Sequence, residues 1–198
     1  MKKKFILRML AALFLIAGIV IALYPVYSSS LNALIDQRIM RESQDIINKN
    51  SKKLQQQMKA QNEKLKQSGI AANQDILDLK MVKSDTKMKQ SLIGEVVIPK
   101  LKLTTPLFKD MNDQLLGMGA SVVPGTSMPV GGADTHTVIA GHRGMMEHRI
   151  FTELNKLKKG DLFILKVFNK NYAYQVKQIQ TVEPSNIAAL KIEPGKDL

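Results

Sequence analysis

Proline and glycine are distributed unevenly along this chain of 198 residues, and that distribution constrains the fold more than any other feature. No proline lies between Pro25 and Pro99, and Gly69 is the only glycine within residues 28–91. Beyond that range, glycines and prolines punctuate short apolar runs. Because both residues interrupt helices and mark turns, the pattern predicts a helical stalk over residues 28–91 and a β-rich domain over residues 92–198.

The N-terminus combines a basic cluster with a long apolar stretch. Lys2-Lys3-Lys4 precede the stretch from Phe5 to Leu23, which only Arg8 interrupts. At about 1.5 Å of rise per residue, a helix of this length covers roughly 29 Å, close to the hydrocarbon thickness of a membrane. Residues 1–27 are therefore predicted to form a cytoplasmic tip and a transmembrane helix, because lysines before a span favour a cytoplasmic N-terminus. The alternative is a cleaved signal peptide, and either interpretation places the rest of the chain outside the cell.

The stalk has two parts that differ in their side chains. The first part carries an apolar stripe at helical spacing, formed by Leu31, Leu34, Ile35, Ile39, Ile46 and Ile47. The second part, Asn48 to Gln67, consists mainly of Lys, Gln and Asn, and Leu54 and Met58 are too few to bury much surface. We expect a solvated helical spacer there, with a weak coiled coil or a partner-binding helix as alternatives. Ser68-Gly69 is predicted to end this helix, and Ala71 to Leu79 to form a second, short one.

The β-rich domain consists of short apolar runs separated by turn residues. Strands are predicted at Gly94–Pro99, Leu101–Phe108, Thr137–Ala140, Asp161–Phe168 and Tyr172–Val182. Between them we expect a helical turn over Asn112–Met118, and a short helix over Ile150–Leu157 with Phe151 and Leu154 facing inward. Short strands and few helices predict a mainly β fold, an antiparallel barrel or sandwich.

Composition excludes several classes of function. The chain contains no cysteine, so it forms no disulfide bond, thiolate metal site or thiol nucleophile. Its net charge of +12 is concentrated in residues 1–92, which hold 16 Lys and Arg against 7 Asp and Glu, whereas residues 93–198 hold 13 against 10. Because no zinc-finger spacing, tryptophan or aromatic–basic pattern accompanies these charges, we expect no binding to nucleic acid.

His142 is the candidate catalytic residue. The strand-forming run Thr137–Ala140 leads directly into Gly141 and His142, and Gly144 follows. This arrangement places the imidazole at a strand end, where the chain turns and a side chain can face a cleft. An imidazole in that position is suited to general acid or base chemistry near neutral pH.

The neighbouring polar residues are expected to have structural roles. His136 precedes the strand and is predicted to make structural hydrogen bonds. A metal site built on His136, His142 and His148 is disfavoured, because glycines interrupt the strand and no carboxylate or thiolate cluster accompanies the histidines. Arg143 is a poor electrophile for the same site, since adjacent strand residues point to opposite faces.

Several separated segments of the β-rich domain resemble one family, the sortases. The similar segments are Gly94–Pro99, Gly125–Gly132, Thr135–Gly144, Phe151–Asp161, Val182–Pro184 and Ile192–Leu198. As a set they are more specific than a lone Gly-His-Arg, and they are most similar to class C, pilus-assembling sortases. The resemblance covers residues 92–198.

The resemblance implies a fold, a reaction and a location. Sortases are membrane-anchored cysteine transpeptidases with a closed β-barrel, here preceded by a transmembrane helix and a helical stalk. They cleave a sorting signal such as Leu-Pro-x-Thr-Gly after threonine, hold the product as a thioacyl enzyme and pass it to an amine. Expected partners are pilins or surface proteins that carry such signals, and an acceptor amine of a pilin lysine or a peptidoglycan precursor. No cofactor is implied, and the histidine that protonates the leaving amine carries over onto His142.

Two features of the family have no counterpart in this chain. The family's cysteine and arginine lie on strands beyond the position of Leu198, so we expect an incomplete barrel, truncated before its nucleophile and inactive as a transpeptidase. The alternatives are a non-catalytic, membrane-tethered module that binds sorting signals, or a non-functional truncated product. The Asp-Pro-aromatic lid of class C enzymes is also missing, because Asp85 is followed by Thr86.

Overall fold

The structure is a computed structural model that describes residues 2–68, 88–144, 150–183 and 190–198. The chain divides into two compact units, Met1–Ile35 and Asp36–Leu198. The predicted helix Ala71 to Leu79 and the Asp85-Thr86 pair lie outside the described residues.

Helix α1 spans Lys2–Ser68, and the first unit consists of its N-terminal part. The apolar side chains described between Ile6 and Leu23 are exposed. Among the described residues, we find no helix with both the length and the apolar character that a membrane span requires. The predicted end of the stalk helix at Ser68 agrees with the last residue of α1.

The second unit is built around a six-stranded sheet in the order β4-β3-β2-β1-β5-β6. Its elements are α2 Met88–Ser91, β1 Leu92–Ile98, β2 Leu103–Phe108, α3 Asp113–Met118, β3 Ala120–Val122, β4 Ile139–Ala140, β5 Leu162–Val167 and β6 Lys170–Gln175, with 3-10 turns at Pro99–Leu101 and Leu154–Lys156. The mainly β fold is confirmed. The barrel, which was expected to be incomplete in this chain, is found as half a barrel, and no pairing joins β4 to β6 within the described residues.

One pair of strands departs from the antiparallel prediction. β2 and β3 run parallel, with Leu107 opposite Ala120 and Phe108 opposite Ser121. A parallel pair needs a crossover connection rather than a tight turn, and α3 supplies it. The Asn112 side chain caps this helix by accepting a hydrogen bond from the Leu115 amide at 2.8 Å. The helical turn predicted at Asn112–Met118 is therefore confirmed.

The centre of the sheet is held by long, regular pairing. β1 pairs with β2 on one side and with β5 on the other, both antiparallel. The register of β1 with β2 shifts at a bulge between Leu92 and Gly94, and Gly94 lies opposite Val167 of β5. A Cβ atom added at Gly94 would lie 1.8 Å from the Lys166 carbonyl oxygen, so only glycine fits there.

The hydrophobic core lies on one face of this sheet and includes a residue of α1. Met58 is 2% exposed and belongs to the same buried cluster as Val96, Leu107 and Val167. The solvated spacer expected for this part of the chain is therefore wrong around Met58. Leu54 and Met58 lie four residues apart on one face of α1, and this face packs against the core of the sheet.

Three other local predictions are corrected. Ile150–Leu157 forms only a 3-10 turn at Leu154–Lys156, since the Phe151 amide donates to the His142 carbonyl oxygen instead of entering a helix. The strand predicted to reach Val182 ends at Gln175. β3 was not predicted, because three residues are too few to show a periodic pattern.

Candidate active site

His142 lies two residues beyond the end of β4. This strand pairs antiparallel with β3 through Ser121 opposite Ala140 and Val122 opposite Ile139. The ladder is extended by the Val123 amide, which donates to the Val138 carbonyl oxygen at 2.8 Å. The strand-end location predicted for His142 is thus where the structure places it, although β4 is shorter than the predicted Thr137–Ala140.

The turn that carries His142 is fastened to the segment after it. The Phe151 amide donates to the His142 carbonyl oxygen at 3.1 Å, and the Gly144 amide donates to the Thr152 hydroxyl at 3.1 Å. A Cβ atom at Gly141 would lie 2.6 Å from the Phe151 ring, so the ring requires glycine beside the histidine. Gly144 has φ +85°, a left-handed conformation that glycine adopts without strain.

The His142 ring itself is half-buried. Its Nδ1 atom is buried and has no hydrogen-bond partner among the described residues, which do not include 145–149. Buried polar atoms are nearly always paired, and a catalytic role is one explanation for an atom that is not. An imidazole with an uncommitted nitrogen can accept or donate a proton, as a general acid or base must.

An apolar groove of about 470 Å³ lies beside this turn. Strands β1, β4, β5 and β6 contribute to its walls, together with Phe151, Leu154, Leu157, Ile179 and Leu198. His142 is not among the lining residues, but Phe151 joins the two features because it lines the groove and contacts Gly141. The groove has the volume and the apolar walls of a ligand pocket.

The structure does not bring the other candidate residues into a common site with His142. His136 Nδ1 lies 2.8 Å from the Lys191 carbonyl oxygen, and its amide donates to the Ser127 hydroxyl at 3.0 Å, so its structural role is confirmed. Arg143 is exposed. His148 lies outside the described residues. Within the described part of the chain, no cluster of His, Asp or Glu could hold a metal ion.

The C-terminal segment adds a residue that the sequence did not single out, Asp197. Its carboxylate accepts hydrogen bonds from the Gly132 amide at 2.9 Å and from the Tyr174 hydroxyl at 3.0 Å. Burial and the neighbouring Asp197 carboxylate raise the pKa of Tyr174 above its ordinary range. Asp197 therefore ties the chain end to β6 and to the loop before β4.

This segment also runs parallel to the approach to β4. Asp197 and Thr135 form a parallel bridge, and the Thr137 amide donates to the Leu198 carbonyl oxygen at 2.7 Å. The direction from Thr135 to Thr137 is the direction in which the chain goes on to His142. The C-terminal segment thus points towards the histidine turn.

The sequence and the fold are similar to those of known proteins. The family model described as a sortase domain matches residues 96–198, just over half of the chain. Sortase A of Bacillus anthracis is 28% identical over 127 residues, which are 64% of this chain and 59% of that protein. Sortase A of Streptococcus agalactiae is 27% identical over 53% of this chain and 43% of that protein. The chain thus spans about half the length of the curated relatives it matches.

Solved structures give a more extensive match. The crystal structure of sortase C1 from Streptococcus agalactiae has a TM-score of 0.67 and 33% identity, covering 81% of this chain and 86% of that one. Sortase C of Streptococcus pneumoniae has a TM-score of 0.64 and 32% identity, covering 81% and 84%. At 33% and 32% identity, the similarity extends beyond the fold to the sequence, and both neighbours are sortases of the C type.

Proposed function

The chain belongs to the sortase family and is class C-like, and from that premise we propose that it is the histidine-bearing part of a cysteine transpeptidase that acts on sorting signals. The observation that carries the proposal is the position of His142, at the end of β4 and inside the matched range 96–198. The proposed substrates are pilins or surface proteins with a Leu-Pro-x-Thr-Gly-like signal, and the proposed acceptor is an amine of a pilin lysine or a peptidoglycan precursor.

The proposed chemistry assigns one step of each half-reaction to His142. A thiolate attacks the threonine carbonyl carbon, and collapse of the tetrahedral intermediate breaks the Thr–Gly bond while His142 protonates the departing glycine amine. In the second half-reaction the acceptor amine attacks the thioester, His142 takes its proton, and the thiolate leaves. The thiolate is the component that these 198 residues cannot supply, because they contain no cysteine. We therefore expect the chain by itself to perform no turnover.

The direction of the C-terminal segment supports this assignment. Asp197 bridges in parallel to Thr135, so a strand continued in the same direction would run beside β4 towards His142. We propose that the thiolate would be supplied from such a strand.

A second candidate function is a non-catalytic module that binds sorting signals. The apolar groove of about 470 Å³ favours it, because its volume and walls suit a short apolar peptide. The thiol-free composition is compatible with it as well.

Two assays on the purified chain separate these proposals. A fluorogenic sorting-signal peptide is expected to show no cleavage, and cleavage that disappears in His142→Ala would contradict the need for an external thiolate. Fluorescence anisotropy with a labelled peptide of the same sequence then measures binding. Saturable binding that a scrambled peptide does not reproduce supports the binding module. If the chain does not bind the peptide, a non-functional truncated product describes it better.

The proposed location rests on the sequence of the N-terminus. Sortases are typically associated with the membrane in Gram-positive bacteria, and Lys2-Lys3-Lys4 before the apolar stretch from Phe5 to Leu23 favour a single-pass anchor with the cytoplasmic end first. Protease added to intact protoplasts should then remove nearly everything beyond Tyr27. Protection of the β-rich domain would contradict this topology.

A further inference from the structure

One polar residue of α1 is buried as deeply as the core. Asn62 is 3% exposed, although the surrounding sequence is mostly Lys, Gln and Asn and its neighbours Gln61 and Glu63 are exposed. Burying a carboxamide is unfavourable unless its donor and acceptor are both satisfied. Asn62 therefore requires hydrogen-bond partners outside α1 for both its donor and its acceptor.

Both partners are backbone groups of a single residue, Met128. The Met128 amide donates to Asn62 Oδ1 at 2.7 Å, and Asn62 Nδ2 donates to the Met128 carbonyl oxygen at 3.0 Å. The two residues are 66 positions apart. A carboxamide holds a donor and an acceptor side by side, so it can pair with the N–H and C=O of one residue as a neighbouring strand would. We call this pair of hydrogen bonds the Asn62 clasp.

Apolar contacts on the same helical face support the clasp. Leu54, Met58 and Asn62 follow each other at intervals of four residues and so share one face of α1. Met58 is buried in the core cluster, against which Leu54 and Met128 also pack. The apolar contacts bring the helix to the sheet, and the clasp determines its register on the 125–130 connection.

Met128 belongs to the connection that holds the strand leading to His142. The adjacent Ser127 amide donates to the His136 carbonyl oxygen at 3.0 Å, and the Ser127 hydroxyl accepts from the His136 amide. One residue earlier, the Thr126 hydroxyl accepts from the Val138 amide at 3.3 Å. These contacts continue as the ladder between β3 and β4. Every step from Asn62 to the histidine strand is therefore a hydrogen bond or a peptide link.

We infer that Asn62 is a positioning residue for His142, acting through the Asn62 clasp on the connection around Met128. The inference rests on the proposed function only for the catalytic role of His142. It makes the C-terminal part of α1 a component of the histidine site, so that a displacement of the helix loosens the strand that carries the imidazole.

A first variant removes the clasp without disfavouring the helix. Asn62→Ala leaves the Met128 amide without its partner, while alanine is the better helix former. On the full 198-residue chain, hydrogen exchange of backbone amides in residues 126–138 should accelerate by about tenfold or more, as expected when a buried hydrogen-bond pair is lost. Amides of β1 and β5 should keep their protection, and the His142 ring resonances in an NMR spectrum should shift or broaden. The exposed Gln56→Ala is the matched control and should change neither measurement.

A second variant makes the clasp dependent on pH, so that its presence and its loss can be compared in one protein. In Asn62→Asp, the protonated carboxyl can still donate to the Met128 carbonyl oxygen and accept from its amide, but the carboxylate faces that oxygen without a proton. Burial and this repulsion raise the pKa of the introduced carboxyl, so the clasp is present at low pH and is lost as pH rises through that pKa. Exchange in residues 126–138, compared with the unsubstituted chain at each pH, should accelerate on that rise. Gln56→Glu, which adds an exposed carboxyl, should show no such dependence.

The inference is overturned if Asn62→Ala keeps wild-type protection of residues 126–138 and unchanged His142 resonances. It is also overturned if exchange in Asn62→Asp, relative to the unsubstituted chain, does not depend on pH. If Asn62→Ala unfolds the whole domain, Asn62→Asp at low pH decides between the outcomes. No peptide substrate is present in these measurements, so they can fail while sorting signals still bind, and they can succeed while binding fails.

Discussion

Two regions of the sheet are held together by different interactions. We call β1, β2 and β5 the centre, and β3, β4 and the 125–130 connection the histidine side. In the centre, β1 pairs with β2 from Leu92 to Ile98 and with β5 from Gly94 to Val97, and most of the buried side chains are apolar. On the histidine side, β3 and β4 share only two residue pairs. Beyond them, backbone hydrogen bonds join Val123 to Val138 and Ser127 to His136. The side chains of Asn62, Thr126 and Ser127 add hydrogen bonds to backbone groups.

This difference separates the stability of the domain from the position of its candidate catalytic residue. Apolar burial is non-directional and scales with area, so the centre contributes most of the free energy of folding. Side-chain hydrogen bonds contribute less, but they are directional and leave a costly unpaired group when broken. We therefore expect substitutions in the centre to unfold the domain, and substitutions on the histidine side to loosen the site within a folded domain.

The largest effect should come from Gly94→Ala. The added Cβ would meet the Lys166 carbonyl oxygen at 1.8 Å, so β1 and β5 would have to separate. We expect a loss of more than about 4 kcal/mol in the free energy of unfolding, enough to unfold a typical domain. Urea denaturation followed by circular dichroism measures it. Gly117→Ala in α3, where no atom lies within 4 Å of the added Cβ, is the control and should be neutral or slightly stabilising.

A smaller loss is expected when the core of the centre is truncated. Leu107 is fully buried in the cluster that contains Val96 and Met58. Leu107→Ala should lower the free energy of unfolding by about 2–5 kcal/mol through lost burial and the cavity left behind. The same denaturation experiment on Leu162→Ala, at a strand position that is 55% exposed, should give less than about 0.5–1 kcal/mol. Equal losses in both variants would contradict the assignment of the core to this face.

On the histidine side, Thr126→Val tests whether hydrogen bonds rather than burial hold the strand. The Thr126 hydroxyl is buried, donates to the Val123 carbonyl oxygen at 2.7 Å and accepts from the Val138 amide. Valine has nearly the same shape, so the expected loss of about 1–3 kcal/mol reflects the unpaired backbone groups. Hydrogen exchange should accelerate around residues 136–140 and remain slow in β1. Thr104→Val, at an exposed position of β2, should leave both regions unchanged.

Local sequence patterns predicted the centre and could not predict the side-chain contacts of the histidine side. The strand at Gly94–Pro99 and the helical turn at Asn112–Met118 depend on neighbouring residues, so they were visible in the sequence. The contact of Asn62 with Met128 joins residues 66 positions apart, and no local pattern encodes it. A signal was present in the spacing of Leu54, Met58 and Asn62 at intervals of four, which marks one face of α1.

The position of His142 at a strand end was predictable for a similar reason, because Gly141, His142 and Gly144 closely follow the strand in the sequence. The hydrogen bonds of Asp197 were not, since they depend on the chain end returning to the loop at Gly132. The helix predicted at Ile150–Leu157 failed because the Phe151 amide bonds to His142, a tertiary contact that outweighs helix propensity.

The smallest effect concerns the response to alkaline pH of the contact between Tyr174 of β6 and Asp197. The folded state raises the pKa of Tyr174, so the neutral phenol contributes stability that is present below the ordinary tyrosine pKa of about 10 and is lost as pH rises above it. Tyr174→Phe loses one hydrogen bond to Asp197 and should cost about 0.5–1.5 kcal/mol at neutral pH. The variant should also lose part of the decline in melting temperature between neutral and strongly alkaline pH. An identical decline in both chains would contradict the contribution of this hydroxyl.

The most direct test of the account asks whether a thiol placed after Leu198 reacts with a sorting signal under the control of His142. The chain is extended by a family-like hairpin that carries a cysteine and an arginine, and cooperative unfolding is verified first. Intact-protein mass spectrometry after incubation with a Leu-Pro-x-Thr-Gly peptide should then detect the thioacyl adduct with the peptide up to its threonine. Replacement of the introduced cysteine by alanine should abolish the adduct, and His142→Ala should reduce its rate by about 100-fold or more, the usual contribution of a general acid. A folded, extended chain that forms no adduct, or forms it equally fast without His142, would contradict the account.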